Sequence, residues 1–261
     1  MSELLEVRDV SRTYVSRGVR IPVLRGVRFS ISPGERVGLI GLSGAGKSTL
    51  ARILLGLEKP DSGEVLVEGE PLVRWRRDNP GAMSVVFQNY YDSVNPMWTV
   101  KDIMLEPLAL QGRAVQANAG AMLQAVGLPR HFSDRYPHEL SGGQLQRVAI
   151  ARALAAHPRL VVFDEAVSSL DVSVQAEILQ LLRRLAAKGL GWLFISHDLQ
   201  AVVSVCTRVL FLDRGEIVED IAVDELASAR SDCARELLGA VMPFQSEAGG
   251  AFGNDSKEKD E

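Results

Sequence analysis

Residues 36–50 read RVGLIGLSGAGKSTL, and this stretch decides the fold class. Arg36 to Ile40 is a short apolar run suited to a strand, and Lys47 to Leu55 carries the spacing of a helix closed by Gly56. Between them lies GLSGAGKST at 41–49, which fits the phosphate-binding pattern G-x-x-x-x-G-K-[ST] in the strand-to-helix setting that the pattern requires. Gly41, Gly44 and Gly46 can adopt positive φ and lack side chains, so backbone N–H groups across Leu42, Ser43 and Ala45 can turn inward around phosphate oxygens. Lys47 adds a cation, and the helix beginning there points its unpaired N–H groups at the same anion. Ser48 is the expected Mg²⁺ ligand and Thr49 a further phosphate contact.

A phosphate cradle needs a carboxylate to hold the metal and a group to activate water. RLVVFDE at 159–165 supplies both at the end of a continuous apolar run, where a buried parallel strand would deliver them to a ligand. Side chains alternate along an extended segment, so Asp164 is assigned to Mg²⁺ and Glu165 to the attacking water as general base. No guanine-reading N-K-x-D motif occurs.

Outward from these motifs, short strands are expected at 4–14, 23–31, 64–67 and 83–87, and strand–helix alternation returns from residue 160 through strands 160–163, 192–195, 208–212 and 216–219. Helices are expected at 173–187, after His197 and twice near the C-terminus. Residues 101–157 show only helical patterns, broken by Gly112, Gly127–Pro129, Pro137 and Ser141–Gly143. The reading is an α/β fold with a mainly parallel core sheet. One domain is expected over 1–243, with a helical subdomain at about 89–158 and a disordered acidic tail at 244–261. VRWRRDN at 73–79 reads as a solvated loop. With 46% hydrophobic residues the 261-residue chain has material for a folded core, and its net charge of −4 argues against nucleic acid as a partner. No apolar run approaches the ~20 residues of a membrane span, the N-terminal stretch lacks the order of a secretion signal, and Cys206 and Cys233 read as reduced hydrophobes.

LSGGQLQR at 140–147 places Ser141 as the cap of a helix expected to run to His157, giving the chain a second glycine turn suited to an anion. With this motif the chain resembles the ATP-binding subunit of ATP-binding cassette (ABC) transporters from Leu4 to about residue 220. The resemblance implies a P-loop NTPase of ABC type, with an N-terminal antiparallel β part, that hydrolyses ATP with Mg²⁺. It also assigns roles: Tyr14 stacks on adenine; Gln88 in VVFQ contacts Mg²⁺ and water; Ser141, Gly142, Gly143 and Gln144 bind the γ-phosphate of ATP held by an opposite protomer; Asp171 in SSLD joins the two sites; and His197 in FISHD senses the γ-phosphate. His131, His138 and His157 match nothing and are expected at the surface or at helix ends.

NYYDSVNPMWTV at 89–100 is similar to the corresponding stretch of oligopeptide, dipeptide and nickel importer ATPases, and Ala166-Val167, where most cassettes have Pro-Thr, resembles the nickel branch. The chain after residue 219 is too short for the regulatory domains of sugar or methionine importers. The resemblance therefore implies an importer motor for nickel, a metal chelate or small peptides. Its partners would be a second, related cassette, two membrane permeases and an extracytoplasmic binding protein, and its place the cytoplasmic face of the inner membrane. The rival is a soluble ABC ATPase in translation or DNA repair, a class that usually carries two cassettes or a long coiled-coil insert.

Overall fold

The computed structural model describes residues 3–109, 111, 118–168, 170–187 and 189–241. Among the described residues ten strands form two sheets. The smaller is antiparallel and built from β1 (Leu5–Ser16), β2 (Val19–Ile31), β4 (Ser62–Val67) and the two-residue β5 (Glu70–Pro71), in the order β2-β1-β4-β5. The larger contains β3 (Arg36–Ile40), β6 (Met83–Phe87), β7 (Leu160–Asp164), β8 (Gly191–Ser196), β9 (Arg208–Asp213) and β10 (Glu216–Ala222), in the order β10-β9-β3-β8-β7-β6. Its pairings are parallel except for β10 on β9.

Both faces of the large sheet are covered at its centre, which is why β3, β7 and β8 are almost wholly apolar and buried, whereas the edge strand β10 carries Glu216, Glu219 and Asp220. Leu160, Val162, Leu193, Ile195, Leu210 and Leu212 enter one core, shared with the antiparallel sheet and with α1 (Lys47–Leu54). Their alternates Val161, Phe163, Trp192, Phe194, Val209 and Phe211 enter the other, against helices. Those helices are α3 (Val100–Ala109), α4 (Ala119–Ala125), α5 (Gly142–Leu154), α6 (Val172–Ala186), α7 (Leu199–Val205) and α8 (Asp232–Val241).

The expected α/β architecture is observed, with differences at particular elements. Residues 73–79 are not a solvated loop: Leu72–Asp78 is α2, and Trp75 is almost wholly buried while Arg74, Arg76 and Arg77 beside it are exposed. Trp75 Nε1 donates to Glu68 Oε2 at 2.9 Å, and Arg159 stands over the indole ring. One large apolar group outweighs the charges flanking it, because those long side chains reach water from a helix surface. The helix after Ser141 stops at Leu154, short of His157, which takes a left-handed φ of 52° and is exposed. The first of the two expected C-terminal helices is a 3₁₀ turn, Val223–Ser228, followed by α8. Strand β2 starts four residues earlier than expected, extending the hairpin with β1. His131 and His138 are exposed, as read. Gly112 and the tail at 244–261 lie outside the described residues. Among the described residues no helix is long and apolar enough to cross a membrane.

Trp75→Ala should cost about 3–5 kcal/mol by emptying a packed site, whereas Arg74→Ala, at an exposed position, should cost less than about 0.5 kcal/mol. Urea unfolding of the two variants checks the difference.

Candidate functional site

Four neighbouring parallel strands end side by side. In spatial order β3, β8, β7 and β6 finish on Ile40, Ser196, Asp164 and Phe87, and the next residues are Gly41, His197, Glu165 and Gln88. Parallel pairing thus brings to one edge, the carboxyl edge, four groups drawn from distant parts of the chain.

The loop from Gly41 to Gly46 turns β3 into α1. Gly44 and Gly46 have φ of 82° and 109°, which side chains rarely adopt. At Gly41 φ is not positive, and it is the missing side chain that matters, because a Cβ would collide with the carbonyl of Leu212. Lys47 is buried, and its Nζ donates to the carbonyls of Gly41 (2.8 Å) and Leu42 (3.2 Å), the hydrogen bonds that a burial so deep demands of an ammonium group. Its third neighbour is Glu165 Oε1 at 3.9 Å. Ser48 is exposed at the start of α1, and Thr49 is buried one position later.

Glu165 sits in the left-handed region at φ 50°, anchored by its N–H to the carbonyl of Ile195 at 2.9 Å. Its Oε2 lies 2.7 Å from His197 Nδ1. A carboxylate only accepts, so this partner places the imidazole proton on Nδ1. A strained backbone held by its surroundings and a carboxylate oriented by a histidine are the marks of a group prepared for proton transfer.

Asp164 Oδ1 is buried and meets no hydrogen-bond donor among the described residues. Burial first, then the adjacent charge of Glu165, push its carboxyl above the ordinary value. A divalent cation at Oδ1 would supply the missing partner and relieve both causes, so this oxygen-only donor set, with the exposed Ser48 hydroxyl, fits Mg²⁺. Gln88 points elsewhere: its Nε2 donates to Ser168 Oγ (3.1 Å), which donates to the carbonyl of Glu165 (2.9 Å). Ser168 is therefore a member of the site that motif reading passed over, although its place three residues after Glu165 is a turn signal.

Tyr14 lies on β1, with its hydroxyl donating to Glu58 Oε2 at 2.8 Å and standing 3.5 Å from Thr49 Oγ1. Arg12 binds Glu58 and Asp61, and its guanidinium lies 5.1 Å from the Tyr14 ring centroid. Glu58 and Arg12 were not legible from local pattern, since strand pairing and the turn after α1 bring them together.

The second glycine turn is separate. Ser141 and Gln144 form a capping box at the N-terminus of α5, the Ser141 N–H bonding Gln144 Oε1 at 3.0 Å. A Cβ at Gly142 would stand 2.6 Å from Tyr90 Oη, and one at Gly143 would overlap Val174, so neither position admits a side chain without movement. Among the described residues no hydrogen bond of Ser141–Gln144 reaches residues 41–49. Asp171 caps α6, accepting from Val174 N (3.0 Å) and Ser173 Oγ (2.6 Å), and these hydrogen bonds, Ser173 first, hold its carboxyl below the ordinary range.

The ABC transporter family matches residues 24–168. The nickel import ATP-binding protein NikE of Shigella dysenteriae serotype 1 is 44% identical over 254 residues, covering 92% of this chain and 95% of that protein. NikE of Rhodospirillum rubrum is 43% identical over 258 residues, covering 93% of each. Among solved structures, the dimeric bacterial ABC transporter cassette MJ0796 aligns with a TM-score of 0.72 and 31% identity over 84% of this chain and 98% of its own. The Clostridium perfringens protein cbiO1, part of the transporter complex cbiONQ, aligns at 0.76 over 95% and 97%, and at 22% identity it speaks to the fold alone. With a P-loop, a carboxylate pair and a separate LSGGQ turn on this scaffold, the chain belongs to the ABC transporter family of ATP-hydrolysing cassettes.

Proposed function

We propose that this chain is the ATP-hydrolysing motor of an importer for nickel or a nickel chelate. The observation that carries the chemistry is the convergence of Lys47, Glu165 and His197 at the carboxyl edge of the sheet. The nickel import proteins that match over nine-tenths of the chain support the cargo.

In this reading the amides of Gly41–Gly46 and Lys47 cradle the ATP phosphates, Thr49 adds a contact, and the Tyr14 ring stacks on adenine with Arg12 bracing its other face. Ser48 and Asp164 would hold Mg²⁺, which would neutralise charge on the β- and γ-phosphates, while Gln88, bonded to Ser168, stays with the turn that carries Glu165. Glu165 takes the proton of the attacking water as the bond from the β–γ bridging oxygen to the γ-phosphorus breaks. His197 orients Glu165 and meets the γ-phosphate. Ser141, Gly142, Gly143 and Gln144 complete the site of an opposing cassette through the N–H groups and dipole of α5, and Asp171 lies where the two sites join. The partners are a second, related cassette, two membrane permeases and an extracytoplasmic binding protein, with this chain peripheral on the cytoplasmic face of the inner membrane.

Glu165→Gln should lower turnover by about 10²–10⁴, the usual worth of a general base, while ATP binding and ATP-driven dimerisation persist; unchanged turnover would refute the assignment. Ser141→Arg should leave ATP binding by the isolated chain intact and abolish ATP-driven dimerisation, measured by gel filtration. Uptake of radioactive nickel beside a labelled dipeptide, in cells whose only copy is intact or Lys47→Ala, tests the cargo. Loss of nickel uptake alone is expected, loss of dipeptide uptake alone would move the chain to peptide import, and loss of neither would favour a soluble ATPase.

A further inference from the structure

We infer that Gln146 is a positioning residue for Glu165, fixing from α5 the turn that carries it. The inference rests on the reading of Glu165 as the base. Gln146 is fully buried on α5, on the helix face it shares with the buried Ala149, Ile150 and Ala153. An amide in such a place costs free energy unless it is hydrogen-bonded. Its Nε2 donates to the carbonyl of Ala166 at 2.7 Å, and because a carbonyl only accepts, this partner sets which end of the amide faces it. Its Oε1 is buried and meets no donor among the described residues. A leucine or methionine would fill the same space without an orphaned acceptor. The side chain that stands here serves the Ala166 carbonyl and tolerates a loose end to do so.

Ala166 directly follows Glu165, whose left-handed backbone persists only if its surroundings hold it. Three contacts do so. The N–H of Glu165 bonds Ile195 in the sheet, its carbonyl is taken by Ser168 within the same turn, and the next carbonyl is taken by Gln146. Of these, only the Gln146 bond comes from outside the sheet edge and the turn. It comes from α5, two residues beyond Gln144, so the carboxylate that takes the proton and the glycine turn at Ser141 are tied to one helix. A shift of α5 along or about its axis pulls on Ala166 and turns the Glu165 side chain.

The test is single-turnover and steady-state ATP hydrolysis by the full chain in its assembled transporter. Q146L should lower kcat by about 10- to 100-fold, the effect of misplacing a reacting group by about 1 Å, with KM for ATP changed by less than about twofold. In an E165Q background Q146L should produce no further loss, because the two residues act as a unit. An unchanged kcat in Q146L, or losses that multiply in the double variant, would overturn the inference. If Q146L does not fold, Q146E keeps the shape. Its protonated carboxyl can donate to Ala166 and its ionised form cannot, so its kcat relative to the parent should fall as pH rises, and a flat ratio would overturn the inference. Full turnover by E165Q would instead remove the base assignment itself, a failure distinguishable from loss of the Gln146 link alone.

Discussion

Parallel hydrogen bonding between β3, β8, β7 and β6 is the constraint on which the rest of the molecule depends. Strands running the same way cannot be joined by tight turns, so each connection must cross a face of the sheet, and those crossings cover both faces. The same geometry delivers Gly41, His197, Glu165 and Gln88 to one edge in register, though they are separated by as much as the whole span from β3 to β8. The two cores follow from it as well. Alternate residues of every central strand enter opposite interiors, so a single substitution in β7 or β8 is felt on one side of the sheet and spared on the other.

Much of this was legible in the chain because the signals were local. The strand–glycine–lysine–helix order at 36–55, the apolar run ending in Asp164-Glu165 and the Ser141 cap each need only a few consecutive residues to state their structure, and each is found where it was read. What escaped depends on partners distant in sequence. At Gly41 the sequence left open whether free φ or the missing side chain matters, and the answer, clearance beneath Leu212, lies a strand away. Residues 73–79 looked like a loop because their charges are visible locally and the pocket that receives Trp75 is not. The ring of Glu58, Arg12 and Asp61 around Tyr14 escaped for the same reason.

The site divides its polar groups into satisfied and unsatisfied ones, and the division is informative. Tyr14, Glu165 and Asp171 have bonds that hold their side chains in place. Asp164 Oδ1 is left without one in a buried position, where an unmade bond is expensive. Rigid surroundings with one open valence describe a surface prepared for a particular ligand atom, since little needs to be rearranged when that atom arrives.

Lys47 adds a last feature of this kind. Its ammonium group is lodged against the carbonyls of Gly41 and Leu42, at the start of the loop that joins β3 to α1. The side chain ties the first turn of α1 back to the strand end from which the loop departs, and so braces the loop from within. A neutral residue in place of Lys47 would therefore loosen the course of the loop as well as remove a charge, and would leave the carbonyls of Gly41 and Leu42 without this donor.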